Sequence, residues 1–106
     1  MTYAEFWPRY LEAHGRPATR GLHYLGTSLA LACLAWAAIG ADWRPLPAAP
    51  ILGYGFAWAG HFFVEGNRPE TFRHPLYSLL SDLRMLALWV AGRLSRELAR
   101  LGPGAG

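Results

Sequence analysis

Two long stretches without formal charge constrain this chain more than any other feature. Between Arg20 and Asp42 stand 21 residues with no acidic or basic side chain, and between Arg44 and Glu65 stand another 20. A helix crossing a bilayer needs about 20 predominantly apolar residues. Each stretch therefore has the length of a span. The segment between them, Asp42-Trp43-Arg44-Pro45-Leu46-Pro47, is a polar turn. The pair predicts a two-span helical hairpin. Pro45, Pro47 and Pro50 crowd the start of the second span, where a helix tolerates proline. Small residues recur at helical intervals on both spans: Gly26 and Ala30 on the first, and Gly53, Ala57 and Gly60 on the second. In lipid such residues let two backbones approach closely.

The flanks extend this hairpin into an all-α membrane helical bundle. Residues 3–13 read as a short amphipathic helix, with Phe6, Trp7, Tyr10 and Leu11 at helical spacing and Glu5, Arg9 and Glu12 elsewhere. Pro8 either kinks this helix or marks its start. Its Trp and Tyr content suits the headgroup layer. His14-Gly15-Arg16-Pro17 ends it. Glu65 to His74 reads as a polar loop. A third helical stretch is expected from Pro75 to about Leu101, with Gly102 to Gly106 a frayed tail. Its middle, Met85 to Gly92, has only eight residues without formal charge. It either crosses the membrane with Asp82 and Arg84 facing inward, or lies along the interface.

Composition agrees with this class. Hydrophobic residues make up 53% of the 106 residues and charged ones 16%, against about 25% charged in soluble domains. The length favours one domain. Mean hydropathy is only +0.12, because Gly, Pro, Trp, Tyr and Arg depress it. The basic residues are ten arginines and no lysine. They form no dense stripe, so nucleic acid is not the expected partner; anionic membrane lipids are. Cys33 stands alone, which excludes an internal disulfide. The polar and aromatic start, Met1 to Tyr10, is not the pattern of a cleavable signal peptide.

Arginine placement gives an orientation. Arg9, Arg16 and Arg20 precede the first span, Arg68 and Arg73 follow the second, and the turn holds only Arg44. Both ends of the hairpin should be cytoplasmic. His14, His23, His61, Glu65 and His74 then share one membrane face. His61 and Glu65 are four apart, a spacing that puts both on one face of a helix. The neighbouring span brings His23 to a similar depth, and the loop brings His14. Three imidazoles and a carboxylate there resemble a site for Fe, Mn or Zn. Each also has a purely structural reading: His61 with Glu65 as a helix-end cap, His23 as a hydrogen-bonded packing residue, His14 as a solvated loop side chain. His74, before Pro75, is expected to start the third helix. Asp82 and Arg84 could pair with each other or with Arg68.

The stretch His14-Gly-Arg-Pro-Ala-Thr-Arg-Gly-Leu-His23-Tyr-Leu-Gly26, with Gly53-Tyr-Gly and Gly60-His61-Phe-Phe-Val-Glu65-Gly-Asn-Arg68-Pro69, resembles the small membrane family of 2-hydroxy-fatty-acid dioxygenases. The similarity runs from about Tyr3 to Trp89, and the segment Thr71 to Met85 is similar to the bacterial branch. The family pattern usually has asparagine where Thr19 stands, which leaves any role of that side chain open. The resemblance implies iron(II) as cofactor, held by His14, His23 and His61. It implies Glu65 as a fourth ligand or a partner of the histidines. It also implies alpha-oxidation of a 2-hydroxy fatty acid by dioxygen, with loss of one carbon. Arg68 or Arg20 could then hold the substrate carboxylate by charge-assisted hydrogen bonds. Two other readings compete: a bis-histidine haem protein built on His23 and His61, and a non-catalytic membrane scaffold. Homo-oligomerisation is left open. High Ala, Gly and Arg usage suggests a bacterial inner membrane.

Overall fold

The structure, a computed structural model, describes residues 1–101. The expected glycine-rich tail, Gly102 to Gly106, lies outside the described residues. Among these the fold is entirely helical: α1 (Tyr3–Ala13), α2 (Pro17–Gly40), α3 (Ala48–Ala59), α4 (Pro75–Val90) and α5 (Leu94–Leu101). A π-helical turn, Gly60–Glu65, continues α3, and a short 3₁₀ turn covers Glu70–Phe72.

α1 starts where a cap allows it. Thr2 Oγ1 accepts from the Glu5 backbone N–H, and the Glu5 carboxylate reaches back to the Thr2 N–H. This reciprocal capping box satisfies amides that the first turn leaves unpaired. Pro8 therefore lies inside the helix rather than at its start. The apolar face of α1 does not turn to headgroups. Phe6, Trp7, Tyr10 and Leu11 are buried, in one core with Met85 of α4 and Leu94 of α5. Amphipathic spacing specifies that a face is covered, not what covers it.

α2 is long and apolar enough to cross a membrane by length and composition. Only 22% of that apolar window is buried, whereas the core helix of a soluble protein is mostly buried. α2 and α3 pack side by side and antiparallel: Gly60 meets Thr19, Gly53 and Phe56 meet Gly26, and Gly53 also meets Ala30. A Cβ on Gly26 would stand 2.9 Å from Phe56 Cβ and 3.0 Å from the Gly53 and Leu52 carbonyl oxygens. The hairpin's close contact thus depends on the missing side chain. The bend between the helices turns at Ala41, which adopts a left-handed φ of 49°, and Arg44 pairs with Asp42 across it at 2.8 Å.

Two expectations need correction. The second apolar stretch is not one α-helix: α3 has 12 residues, and the backbone then widens into the π-turn. Charge spacing reports no such change of helix type. The third stretch is not continuous from Pro75 to Leu101 either. It breaks at Ala91-Gly92-Arg93, where Gly92 has a φ of 71°. That value suits glycine because it carries no Cβ. The break lets α5 fold back, so that Leu94 joins the core and Glu97 accepts from Trp7 Nε1 at 3.1 Å.

Candidate metal centre

Three elements deliver the three imidazoles. His14 caps the end of α1, His23 lies in the second turn of α2, and His61 lies in the π-turn after α3. All three are buried, at 1%, 3% and 2% exposure. Each offers a ring nitrogen, and these nitrogens lie within 4.8 Å of one another.

The other ring nitrogen of each is committed. His14 Nδ1 donates to the Tyr10 carbonyl at 2.5 Å and His23 Nδ1 donates to the Thr19 carbonyl at 3.1 Å, each one helical turn back. His61 Nδ1 donates to Asn67 Oδ1 at 2.6 Å. The orientation of that amide is fixed, because Asn67 Nδ2 donates to the Ala13 carbonyl at 3.0 Å. A carbonyl can only accept, so all three protons reside on Nδ1 and all three Nε2 atoms carry lone pairs. His14 Nε2 and His23 Nε2 are 2.9 Å apart. Two lone pairs at that distance repel unless a proton or a cation stands between them. Burial, and next the neighbouring His23 and His61, hold the His14 imidazole well below its ordinary pKa. Three converging lone pairs of this kind are a donor set that a metal cation could occupy. The donor set is three neutral imidazoles, oriented by acceptors on their far sides, as in most histidine-ligated metal sites. The residues present fit a first-row transition metal.

The surrounding polar groups hold this arrangement. Arg20 Nη1 donates to the His14 and Gly15 carbonyls at 2.9 and 3.0 Å, closing the open end of α1. Gly66, with a φ of 72°, turns the chain so that Asn67 reaches back to His61. Glu65 does not join the converging nitrogens. Its Oε1 accepts from the Arg16 backbone N–H at 2.6 Å, tying the π-turn to the start of α2. The α-helical i, i+4 alignment with His61 does not apply across a π-turn. Arg68 is exposed and makes no hydrogen bond among the described residues. His74 lies against Phe6 and Tyr77, apart from the cluster.

Asp82 is the residue that sequence reasoning placed poorly. It pairs with neither Arg84 nor Arg68. It accepts from the Tyr10 hydroxyl, and its Oδ1 lies 3.8 Å from His23 Nε2. Arg84 instead pairs with Glu97 at 3.3 Å and lies over the Trp7 ring at 4.2 Å. The available signal was Tyr10: a hydroxyl on the buried face of α1 needs a partner when desolvated.

A family model described as Mpo1-like, 2-hydroxy-palmitic acid dioxygenase Mpo1-like, matches residues 1–94. The chain belongs to the Mpo1-like family. The match takes in all three histidines, Asn67 and Asp82, and it ends at the first residue of α5. The description of the Mpo1-like family points to a dioxygenase acting on a 2-hydroxy fatty acid. No curated protein and no solved structure matches the chain significantly.

Proposed function

We propose that this Mpo1-like protein is a membrane-embedded, iron(II)-dependent dioxygenase that shortens 2-hydroxy fatty acids by one carbon. The observation that carries this reading is the convergence of three buried imidazole nitrogens, each with its other nitrogen held by an acceptor. His14, His23 and His61 are the ligands. Iron(II) bound there supplies the electrons that activate dioxygen.

The chain's own residues do the rest. The imidazoles enter as neutral ligands, because no proton need leave them. His14, His23 and His61 would hold the metal, which when bound would supply a Lewis-acidic, redox-active centre for the substrate head and dioxygen. Arg68, exposed and without a hydrogen-bonding partner among the described residues, is available to the substrate carboxylate. Arg20 has one guanidinium nitrogen committed to backbone carbonyls and serves to hold the His14 loop. Glu65 fastens the π-turn to α2 and so fixes His61. Burial of the cluster keeps bulk water from the reacting centre.

The haem alternative has less support. The His14 ring lies 4.2 Å from that of His23 and 4.4 Å from that of His61, centroid to centroid. It occupies the space a macrocycle would need.

The membrane reading rests on α2 and on the apolar residues exposed along the α2–α3 hairpin. Trp36, Ile39, Ile51 and Phe63 are exposed, Ile39 at 88% and Phe63 at 87%. Hydrocarbon is the solvent that suits such a surface. The arginine distribution supports a cytoplasmic histidine end, and the high Ala, Gly and Arg usage supports a bacterial inner membrane.

The test is metal analysis of detergent-purified protein, together with an assay of 2-hydroxypalmitate for one-carbon shortening. About one iron per chain and turnover are expected, with both lost in His23→Ala and His61→Ala. Protein that stays metal-free after expression in iron-rich medium, and inert toward the substrate, would sink the reading.

A further inference from the structure

A groove runs between α2, α3 and α4, with a volume of about 350 Å³. Small-molecule sites commonly hold about 300–1,000 Å³. Its floor is small, with Ala30 facing Gly53, and its walls include Leu31, Leu34 and Leu83. Asp82 is the one charged residue that lines it.

Asp82 also links the groove to the histidine cluster: it lines the groove, and its Oδ1 lies 3.8 Å from His23 Nε2. The same link is written along α2. Thr27 lies four residues after His23, Ala30 and Leu31 lie three and four after Thr27, and Leu34 lies three after Leu31, so they form one stripe on one face. The lining begins one turn beyond the ligand histidine. From Thr27 to Leu34 it runs about 10 Å, at about 1.5 Å per residue. Leu34 at the far end is 46% exposed, so the slot is open there. A narrow apolar slot with a small-residue floor, polar at one end and open at the other, fits one unbranched hydrocarbon chain.

We propose that this groove holds the acyl tail of the substrate, with the head at the three histidines beside Asp82 and the tail running along α2 toward Leu34. The identity of the head rests on the dioxygenase reading; the path of the tail does not. Tails longer than the slot leave it at Leu34 and enter the surroundings. Affinity should therefore climb roughly fourfold per added methylene while the slot fills, from the transfer free energy of a buried CH₂. It should then level off.

The experiment uses 2-hydroxypalmitic acid carrying a diazirine at mid-chain, photolysed with the iron-loaded protein in lipid nanodiscs and mapped by mass spectrometry. Adducts on Leu31, Leu34, Leu79 or Leu83 are expected, lost on adding excess unlabelled 2-hydroxypalmitate. Leu34→Trp, which plugs the open end at an exposed position, should reduce the competed adducts at least tenfold without changing iron content. The proposal is overturned by competed adducts elsewhere, by uncompeted labelling spread over Ile39, Ile51 and Phe63, by no competed adduct, or by an unchanged pattern in Leu34→Trp. The readout needs no turnover. A probe that labels the groove but is never shortened would count against the dioxygenase reading and leave the groove assignment standing.

Discussion

A histidine nitrogen facing a second histidine nitrogen at 2.9 Å needs something between them. The Tyr10 and Thr19 carbonyls take the Nδ1 protons of His14 and His23, so each ring offers only a lone pair to the other. Asn67 does the same for His61, and it belongs to no helix. Asn67→Ala should keep all three ligands yet free the His61 ring to rotate. Loss of such an orienting partner costs about 10- to 100-fold in metal affinity. Competition against a chromogenic chelator measures this; an unchanged affinity would show that Asn67 does not orient the ring. The three histidines were legible in the sequence because the hairpin brings residues 23 and 61 to one end whatever the details of packing. Asn67 and Asp82 were not. Asn67 reaches His61 only through the π-turn and the left-handed Gly66, and Asp82 depends on how α4 lies across α1 and α2. Periodicity carries neither.

At the scale of elements, the hairpin seam makes a graded prediction. A Cβ on Gly26 would meet the Phe56 Cβ and two carbonyl oxygens at 2.9–3.0 Å, on Gly60 the Thr19 methyl at 3.1 Å, and on Gly53 the Ala30 Cβ at 3.5 Å. Gly26→Ala must push two backbones apart and should cost about 1–3 kcal/mol. Gly60→Ala has only a side-chain methyl to displace and should cost less. Gly53→Ala makes ordinary contact and gains helix propensity, up to about 1 kcal/mol, so it should be neutral or stabilising. Thermal unfolding in detergent gives the order; a Gly53 variant less stable than the Gly26 one would mean that the seam is misplaced. A second element-level prediction concerns α5. Glu97 is held below the ordinary carboxylate range by Arg100 first, and by its bond from Trp7. A depressed folded pKa contributes stability above the unfolded pKa, lost as pH falls through the folded one. Protection of the α5 amides, relative to their intrinsic exchange at each pH, should therefore fall below about pH 4, near the unperturbed glutamate value. Glu97→Gln should flatten that dependence and weaken docking at neutral pH by about 1 kcal/mol. Protection of α5 that ignores pH would remove Glu97 as its clasp. The small-residue seam was visible in the sequence as intervals of three and four. The separation of α5 was not, because Gly92 in a helical pattern does not say whether the helix kinks, ends or continues.

The described residues span 45 × 27 × 27 Å, and α2 alone rises about 36 Å at about 1.5 Å per residue. A hydrocarbon core is about 30 Å thick. The histidines gather at one end of α2, where Glu65 ties back to Arg16, and the Asp42–Arg44 turn lies at the other. If the exposed apolar surface faces lipid, these two ends lie in different compartments. The prediction can be made on a single background, because Cys33 is the one native cysteine. In Cys33→Ser, Arg16→Cys should react with a membrane-impermeant maleimide in inside-out vesicles and stay unlabelled in right-side-out ones. Arg44→Cys should show the reverse. Both positions are exposed, so accessibility in detergent serves as the positive control. Labelling of both from one side would mean that α2 does not cross, and the exposed apolar face would then need a protein partner instead. Labelling from opposite sides with the polarity inverted would keep the crossing but move the metal centre away from the cytoplasm. The arginine bias alone carries that last assignment, which is why the two orientations of vesicle, rather than either one, make the measurement decisive.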